Sequence, residues 1–182
     1  MGFRITDTGG VGLTDRFIRS YGGTKELTDA LASLFTVEAV RPSQEIYVIS
    51  PWVSNSPVLD NQQGQFADVF PFAEGRRIYL SDIIQQWAFH GTNVRIICNA
   101  EDTHTAKFLG LVESTENIAF RHLANNHEKG LCSNNFYLHG SMNFTYRGIH
   151  INGEGVRITT LRPDINQALL YARARWEEAT IL

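Results

Sequence analysis

The chain has 182 residues, 43% of them hydrophobic and 11% aromatic, which is the size of one domain and enough apolar material for a core without disulfide staples. Sixteen Lys and Arg against 19 Asp and Glu leave a net charge of −3. That excludes a protein that holds nucleic acid by bulk charge and confines any phosphate chemistry to a local site. No stretch of ~18 apolar residues exists to span a bilayer, and Met1-Gly2-Phe3-Arg4 opens no signal peptide. The expectation is a soluble, cytoplasmic protein that does not engage membranes. Its cysteines, Cys98 and Cys132, lie in apolar β-like runs without CxxC spacing and read as reduced, partly buried thiols.

Residues 1–23 are rich in glycine and weakly patterned, which predicts a loosely ordered arm. Gly9-Gly10-Val11-Gly12 is no dinucleotide fingerprint, because Asp15 stands where a third glycine is needed, and Gly23-Thr24-Lys25 is not the order of a Walker loop. From Thr24, the spacing of Leu27, Ala30, Leu31 and Leu34 predicts an amphipathic helix ending before Arg41-Pro42. Glu45 to Ser50 reads as a strand buried on both faces. Residues 54–77, rich in Asn, Gln, Gly and Pro, read as a long loop or small lobe. A helix from an N-cap at Ser81 to Gly91 precedes a strand from Val94 to Cys98. A third helix, capped near Asp102 and Thr103, precedes a strand from Asn117 to Leu123. This alternation predicts a single α/β domain over residues 1–182, with a mixed, largely parallel sheet flanked by helices. Short strands follow near 127–132, 135–139 and 155–160. A final helix from Pro163 to about Ala179 carries Ile165, Ala168, Leu169, Ala172 and Trp176 on one face.

The densest polar constellation is His127-Glu128-Lys129, then Gly140-Ser141-Met142-Asn143, then Asn152-Gly153-Glu154-Gly155. On an extended strand His127 and Lys129 share a face while Glu128 points away. A turn at Ser133-Asn134 brings back a strand that delivers Ser141 and Asn143 beside them. Lysine charge and the Asn and Ser donors suit an anionic tetrahedral group, a histidine can attack it, and a carboxylate such as Glu154 can hold the imidazole. The chemistry implied is phosphoryl transfer.

His-x-Lys followed by Gly-Ser-x-Asn resembles the phosphodiesterase motif of the phospholipase D superfamily, most clearly over residues 126–157. Ile49-Ser50-Pro51-Trp52 is similar to that family's opening strand and loop. The resemblance implies a phospholipase D-like fold with one motif per chain. It assigns His127 as nucleophile, Lys129 and Asn143 as the phosphate-binding pair, Ser141 as a supporting donor and Glu154 as the carboxylate that orients the histidine. The family's Asp after the lysine is matched by Asn134. No other histidine (His90, His104, His122, His139, His150) has a lysine two residues on, so one chain holds half a site. Small members with one motif pair two identical chains, which implies a homodimer. No metal or other cofactor is implied.

The alternative readings are structural. Alone, His127 and Lys129 would be a core histidine and a solvated lysine. His122, His127, His139 and Cys132 match no standard zinc spacing. Trp52, Trp87 and Trp176 read first as core or interface aromatics. Trp52 is the exception, since it follows a strand at the edge where α/β proteins place ligands, and it is taken as substrate-binding. Arg76, Arg77 and Arg147 are candidate contacts to a phosphate backbone. Two functions follow: a metal-independent nuclease on DNA or RNA with a phosphohistidine intermediate, or a non-catalytic module binding nucleic acid or a partner protein. Ser50 to Ser54, Pro57 to Asn61 and Gly64-Gln65-Phe66 also resemble the phospholipase D-like protein of bacterial gene clusters for 7-deazaguanine DNA modification. That resemblance implies further partners in a DNA modification or restriction system.

Overall fold

The computed structural model describes residues 15–21 and 24–181. In chain order the elements are β1 (Asp15–Ser20), α1 (Lys25–Val40), β2 (Glu45–Ile49), β3 (Pro57–Asp60), β4 (Arg77–Tyr79), α2 (Leu80–Phe89), β5 (Asn93–Cys98), α3 (Thr103–Val112), β6 (Ile118–His122), β7 (Gly130–Cys132), β8 (Tyr137–Gly140), α4 (Tyr146–His150), β9 (Glu154–Thr159), α5 (Arg162–Glu178) and β10 (Thr180–Ile181). One sheet runs β1-β9-β8-β7-β2-β5-β6-β10, and β3 pairs with β4 in a separate lobe.

Alternation along the central strands creates two cores. Ile46 and Val48 of β2, with Val94, Ile96 and Cys98 of β5, pack against α1, α2 and α3 through Leu31, Phe35, Trp87 and Phe108. Tyr47, Ile49 and Ile97 point the other way, onto Ile165, Leu169, Ala172 and Trp176 of α5. A strand covered on both faces reads as a continuous apolar run, which is why β2 and β5 are legible in the sequence. Side-chain caps open α2 and α3. The Asp82 carboxylate accepts from the Tyr79 amide at 2.8 Å, so α2 begins at Leu80 rather than from a cap at Ser81, and Gly91 takes the positive φ of +86° that closes it. In α3, Asp102 accepts from the Thr105 amide at 2.9 Å.

Two sequence expectations need correction. The sheet is mixed but mostly antiparallel: only β2, β5 and β6 run parallel, joined through α2 and α3, whereas the short turn from β7 to β8 allows only antiparallel pairing, and β9 pairs antiparallel with both β8 and β1. The arm expected at 1–23 is, from Asp15 to Ser20, an edge strand. It pairs antiparallel with β9 and is pinned by Arg157 on Asp15 at 2.6 Å. Its pattern is weak because an edge strand buries only alternate residues, here Ile18 and Ser20. Gly9 to Gly12 lie outside the described residues. The 54–77 segment is a lobe organised by buried Asn61, whose side chain donates to Ala73 O at 2.9 Å and accepts from the Phe66 amide at 2.7 Å. Among the described residues no helix is long and apolar enough to cross a membrane.

Candidate active site

The strand registers carry the candidate residues to one edge of the sheet. Ile49, the last residue of β2, pairs with Gly130, the first of β7, so His127 to Lys129 arrive at the C-terminal end of β2. β8 runs back and ends at Gly140, which releases Ser141 and Asn143 at the same edge. Gly140 pairs with Val156, so Glu154 opens β9 there too, and it lies opposite Ser20 of β1. Trp52, 45% exposed, leaves β2 at this edge.

His127 is exposed, and among the described residues no hydrogen bond reaches its ring. Its segment is shaped from both sides. Asn125 adopts a positive φ of +56°, and Asn126 Oδ1 accepts from the Glu128 amide at 2.9 Å, a turn that asparagine favours. Glu128 faces α5, where it accepts from the Tyr171 hydroxyl at 2.7 Å and from the Arg175 guanidinium. The Lys129 ammonium donates to the His127 carbonyl. Residues 127–129 precede β7, which begins at Gly130, so strand alternation does not set their faces, and it is the contacts with Tyr171 and Arg175 that turn Glu128 to the helix. Asn126 was not singled out, although an Asn-Asn pair before His127 is a readable turn signal. Among the described residues its buried Nδ2 has no partner.

Gly140 explains the first letter of its motif. A Cβ there would lie 2.0 Å from Gly155 O and 2.9 Å from Val156 Cα, so only glycine lets β8 and β9 approach. Gly148 of α4 plays the same part for Asn143: a Cβ would sit 2.3 Å from the Asn143 carbonyl. The Asn143 side chain meets Ser50, a fully buried residue whose hydroxyl lies 3.3 Å from Asn143 Oδ1 and 2.8 Å from Trp52 O. With Oδ1 on Ser50, the Asn143 amide nitrogen is the end left to donate. The Ser50 hydroxyl also accepts from the Phe144 amide at 3.4 Å, and Ser54 N donates to Phe144 O at 2.9 Å. The loops after β2 and β8 are thus stitched together.

Glu154 is 9% exposed. Its carboxylate accepts from the Ser141 hydroxyl and from Asn152 Nδ2 at 3.2 Å, while its amide donates to Ser20 Oγ at 3.1 Å. Among the described residues the expected hydrogen bond from the His127 ring to the Glu154 carboxylate is not formed. Ser141, in turn, accepts from the Gly155 amide at 3.0 Å. Asn134 lies at the opposite end of the sheet, where its Oδ1 accepts from the Gln44 amide at 3.0 Å, so this departure from the family pattern falls on structure rather than on the site. Arg76 is engaged with Asp82 at 2.8 Å, whereas Arg77 and Arg147 are exposed.

The remaining titratable groups have structural surroundings. His122 Nδ1 accepts from the Ala100 amide at 3.3 Å. Among the described residues no three His, Cys, Asp or Glu side chains gather into a metal site. Cys98 and Cys132 are buried and unpaired, and burial pushes both thiols up to about 12. His139 stacks on Tyr137 at 4.6 Å between ring centroids. Burial first, and Arg157 second, hold its pKa below the ordinary 6.5. A depressed pKa means that the unfolded chain takes up the proton first, so this group's stabilisation is full above pH ~6.5 and is lost as pH falls through the folded value. The urea midpoint is expected to drop between pH 7 and pH 5, and His139→Phe to flatten that drop. Equal slopes in the two proteins would refute the assignment.

No family model and no curated protein matches the chain. Solved structures do. NucT from Helicobacter pylori is 17% identical with a TM-score of 0.66, over 93% of this chain and 99% of that one. A phospholipase D family member, Nuc from Salmonella typhimurium, is 15% identical with a TM-score of 0.63, over 93% of this chain and 97% of that one. The chain has a phospholipase D-like fold. TrmBL2, an archaeal chromatin protein, is 12% identical with a TM-score of 0.55, over 97% of this chain and 56% of that one. At these identities the likeness is one of fold, and the phospholipase D-like sheet with its flanking helices is the architecture expected from the sequence.

Proposed function

We propose that the chain is a phosphodiesterase that cleaves nucleic acid through a phosphohistidine, in a site completed by a second copy of itself. The observation that carries this reading is the convergence of His127, Lys129, Ser141, Asn143 and Glu154 on one sheet edge from three separate segments between residues 127 and 154. Lys129 and the Asn143 amide bind the phosphate oxygens, and Trp52 lines the cleft beside them. His127 attacks phosphorus, and the bond to the leaving oxygen breaks as that oxygen takes a proton from the His127 of the second chain. Water then attacks the phosphohistidine, losing its proton to the same second histidine, and the first imidazole leaves. Within one chain the Glu154 oxygens serve Ser141 and Asn152, so its orienting role toward a histidine belongs to the assembled dimer.

DNA in the cytoplasm is the first substrate to test, from the resemblance of residues 50–66 to the protein of DNA-modification clusters. The second reading, a module that binds without cleaving, draws on the acidic net charge and on the fold shared with TrmBL2, whose structure shows a mode of DNA binding. One experiment separates the two. Binding and cleavage of single- and double-stranded DNA, RNA and anionic liposomes are compared between low and moderate salt, with and without EDTA. Chelator-insensitive cleavage and binding that weakens steeply with salt are expected, because each neutralised phosphate releases counterions. Salt-sensitive binding without cleavage selects the second reading, and binding to liposomes alone overturns both. Activity per chain is also expected to fall on dilution into monomer, since half a site lacks the acid. A fully active monomer would refute the composite site.

A further inference from the structure

A groove of about 740 Å³ opens between α1, the β3–β4 lobe and α4. Its walls leave directly from the two stitched loops of the site. Tyr146, third after Asn143, opens α4, and its amide donates to Ser54 Oγ at 3.1 Å. Pro57 opens β3 three residues beyond Ser54, and Pro57 O accepts from His150 Nε2 of α4 at 2.7 Å. These two hydrogen bonds tie α4, and with it one wall of the groove, to the loops that carry Ser50 and Asn143.

Its lining does not suit a phosphate. Lys25 and Arg77 are matched by Asp29 and Asp60, so an anion meets as much repulsion as attraction. What the groove offers is a π face and hydrogen-bonding edges. Tyr146 is 51% exposed, with its ring 4.9 Å from that of His150, and Gln63 and the carboxylates supply acceptors and donors of the kind that pair with base edges. Stacking on an aromatic ring with amide and carboxylate contacts is how unpaired bases are held.

We propose that this groove is a base-binding subsite that takes one or two unpaired nucleobases flanking the phosphate at His127. The proposal rests on the nucleic-acid-cleaving reading above. Because bases in a duplex are stacked and their edges are paired, the groove selects single-stranded or locally opened substrate and imposes a base preference at the flanking position.

The test compares single-stranded homopolymeric oligodeoxynucleotides with bis(p-nitrophenyl) phosphate, a diester that carries no bases. In Tyr146→Ala, and to a lesser degree in Gln63→Ala, the ratio of kcat/KM for oligonucleotide over small diester is expected to fall about 10-fold, the worth of one base stack. Tyr146→Phe should restore most of it. An unchanged ratio in all variants overturns the subsite. If the wild-type protein hydrolyses neither substrate, the cleavage reading fails, and fluorescence anisotropy of the same labelled oligonucleotides decides about the groove. An affinity loss of about 10-fold in Tyr146→Ala that Tyr146→Phe repairs supports it, whereas equal affinities or no binding overturn it.

Discussion

Replacing His127 by Ala is expected to lower turnover by at least about 10³-fold, the scale on which removal of an attacking nucleophile acts, with no loss of folded protein. The two halves of that expectation have separate causes. Chemically, no other side chain at the sheet edge has the same nucleophile: Lys129 is cationic and tied to the His127 carbonyl, and the Ser141 hydroxyl is turned onto Glu154. Structurally, the His127 ring is exposed, and its segment is held by its neighbours, through the Asn126 turn and through Glu128 on Arg175, so the substitution removes no packing. His127→Asn should behave alike. Two histidines of one type dividing the work, one neutral and one protonated, also require a bell-shaped pH dependence. Acid-quenched wild-type enzyme should yield a phosphohistidine that is absent from the variant, and thermal melts of the two proteins should coincide. A fully active His127→Ala protein, or activity abolished by EDTA, would refute the mechanism.

The parts of this site that were legible in the sequence are those whose chemistry is local. His-x-Lys and Gly-Ser-x-Asn stand out because two short runs each place chemically matched groups two residues apart, just before β7 and just after β8. What stayed hidden depends on partners far along the chain. Ser50 meets Asn143 across 93 positions, Ser20 supports Glu154 across 134, and Glu128 meets Arg175 across 47; no periodicity reports such contacts. The sheet's mixed direction was misread for a related reason. The unit from β2 through α2, β5 and α3 to β6 is parallel and strongly patterned, and it dominated the reading of the sheet, although the turn at Ser133-Asn134 already implied an antiparallel return of β8. β1 was missed because only Ile18 is both apolar and buried in it. The need for glycine at Gly140 and Gly148, where backbone approaches backbone, is likewise set by neighbours that no local pattern reports.

The largest loss of stability is expected from a residue that the sequence reading passed over. Glu38, on α1, is fully buried, and its carboxylate accepts from the Ser43 amide at 3.1 Å, the Ser43 hydroxyl at 3.0 Å, Asn135 Nδ2 at 3.0 Å and the Ser133 hydroxyl. These donors belong to the approach to β2 and to the turn from β7 to β8, so one carboxylate ties α1 to both, at the end of the sheet opposite His127. A buried charge is tolerated only when so surrounded, and removing it strands several donors at once. Glu38→Ala is expected to cost on the order of 3 kcal/mol, since each hydrogen bond to a charged group contributes about 1.5–3 kcal/mol and the relief of carboxylate desolvation offsets part of the sum. Glu38→Gln, which keeps one acceptor oxygen and the volume, should lose less. Because the network holds the turn rather than the catalytic edge, the folded fraction of Glu38→Gln should keep its specific activity while its urea midpoint falls. A midpoint for Glu38→Ala that equals the wild type would show that these donors find water instead, and that the β7–β8 turn is held by Asn134 and the strands alone.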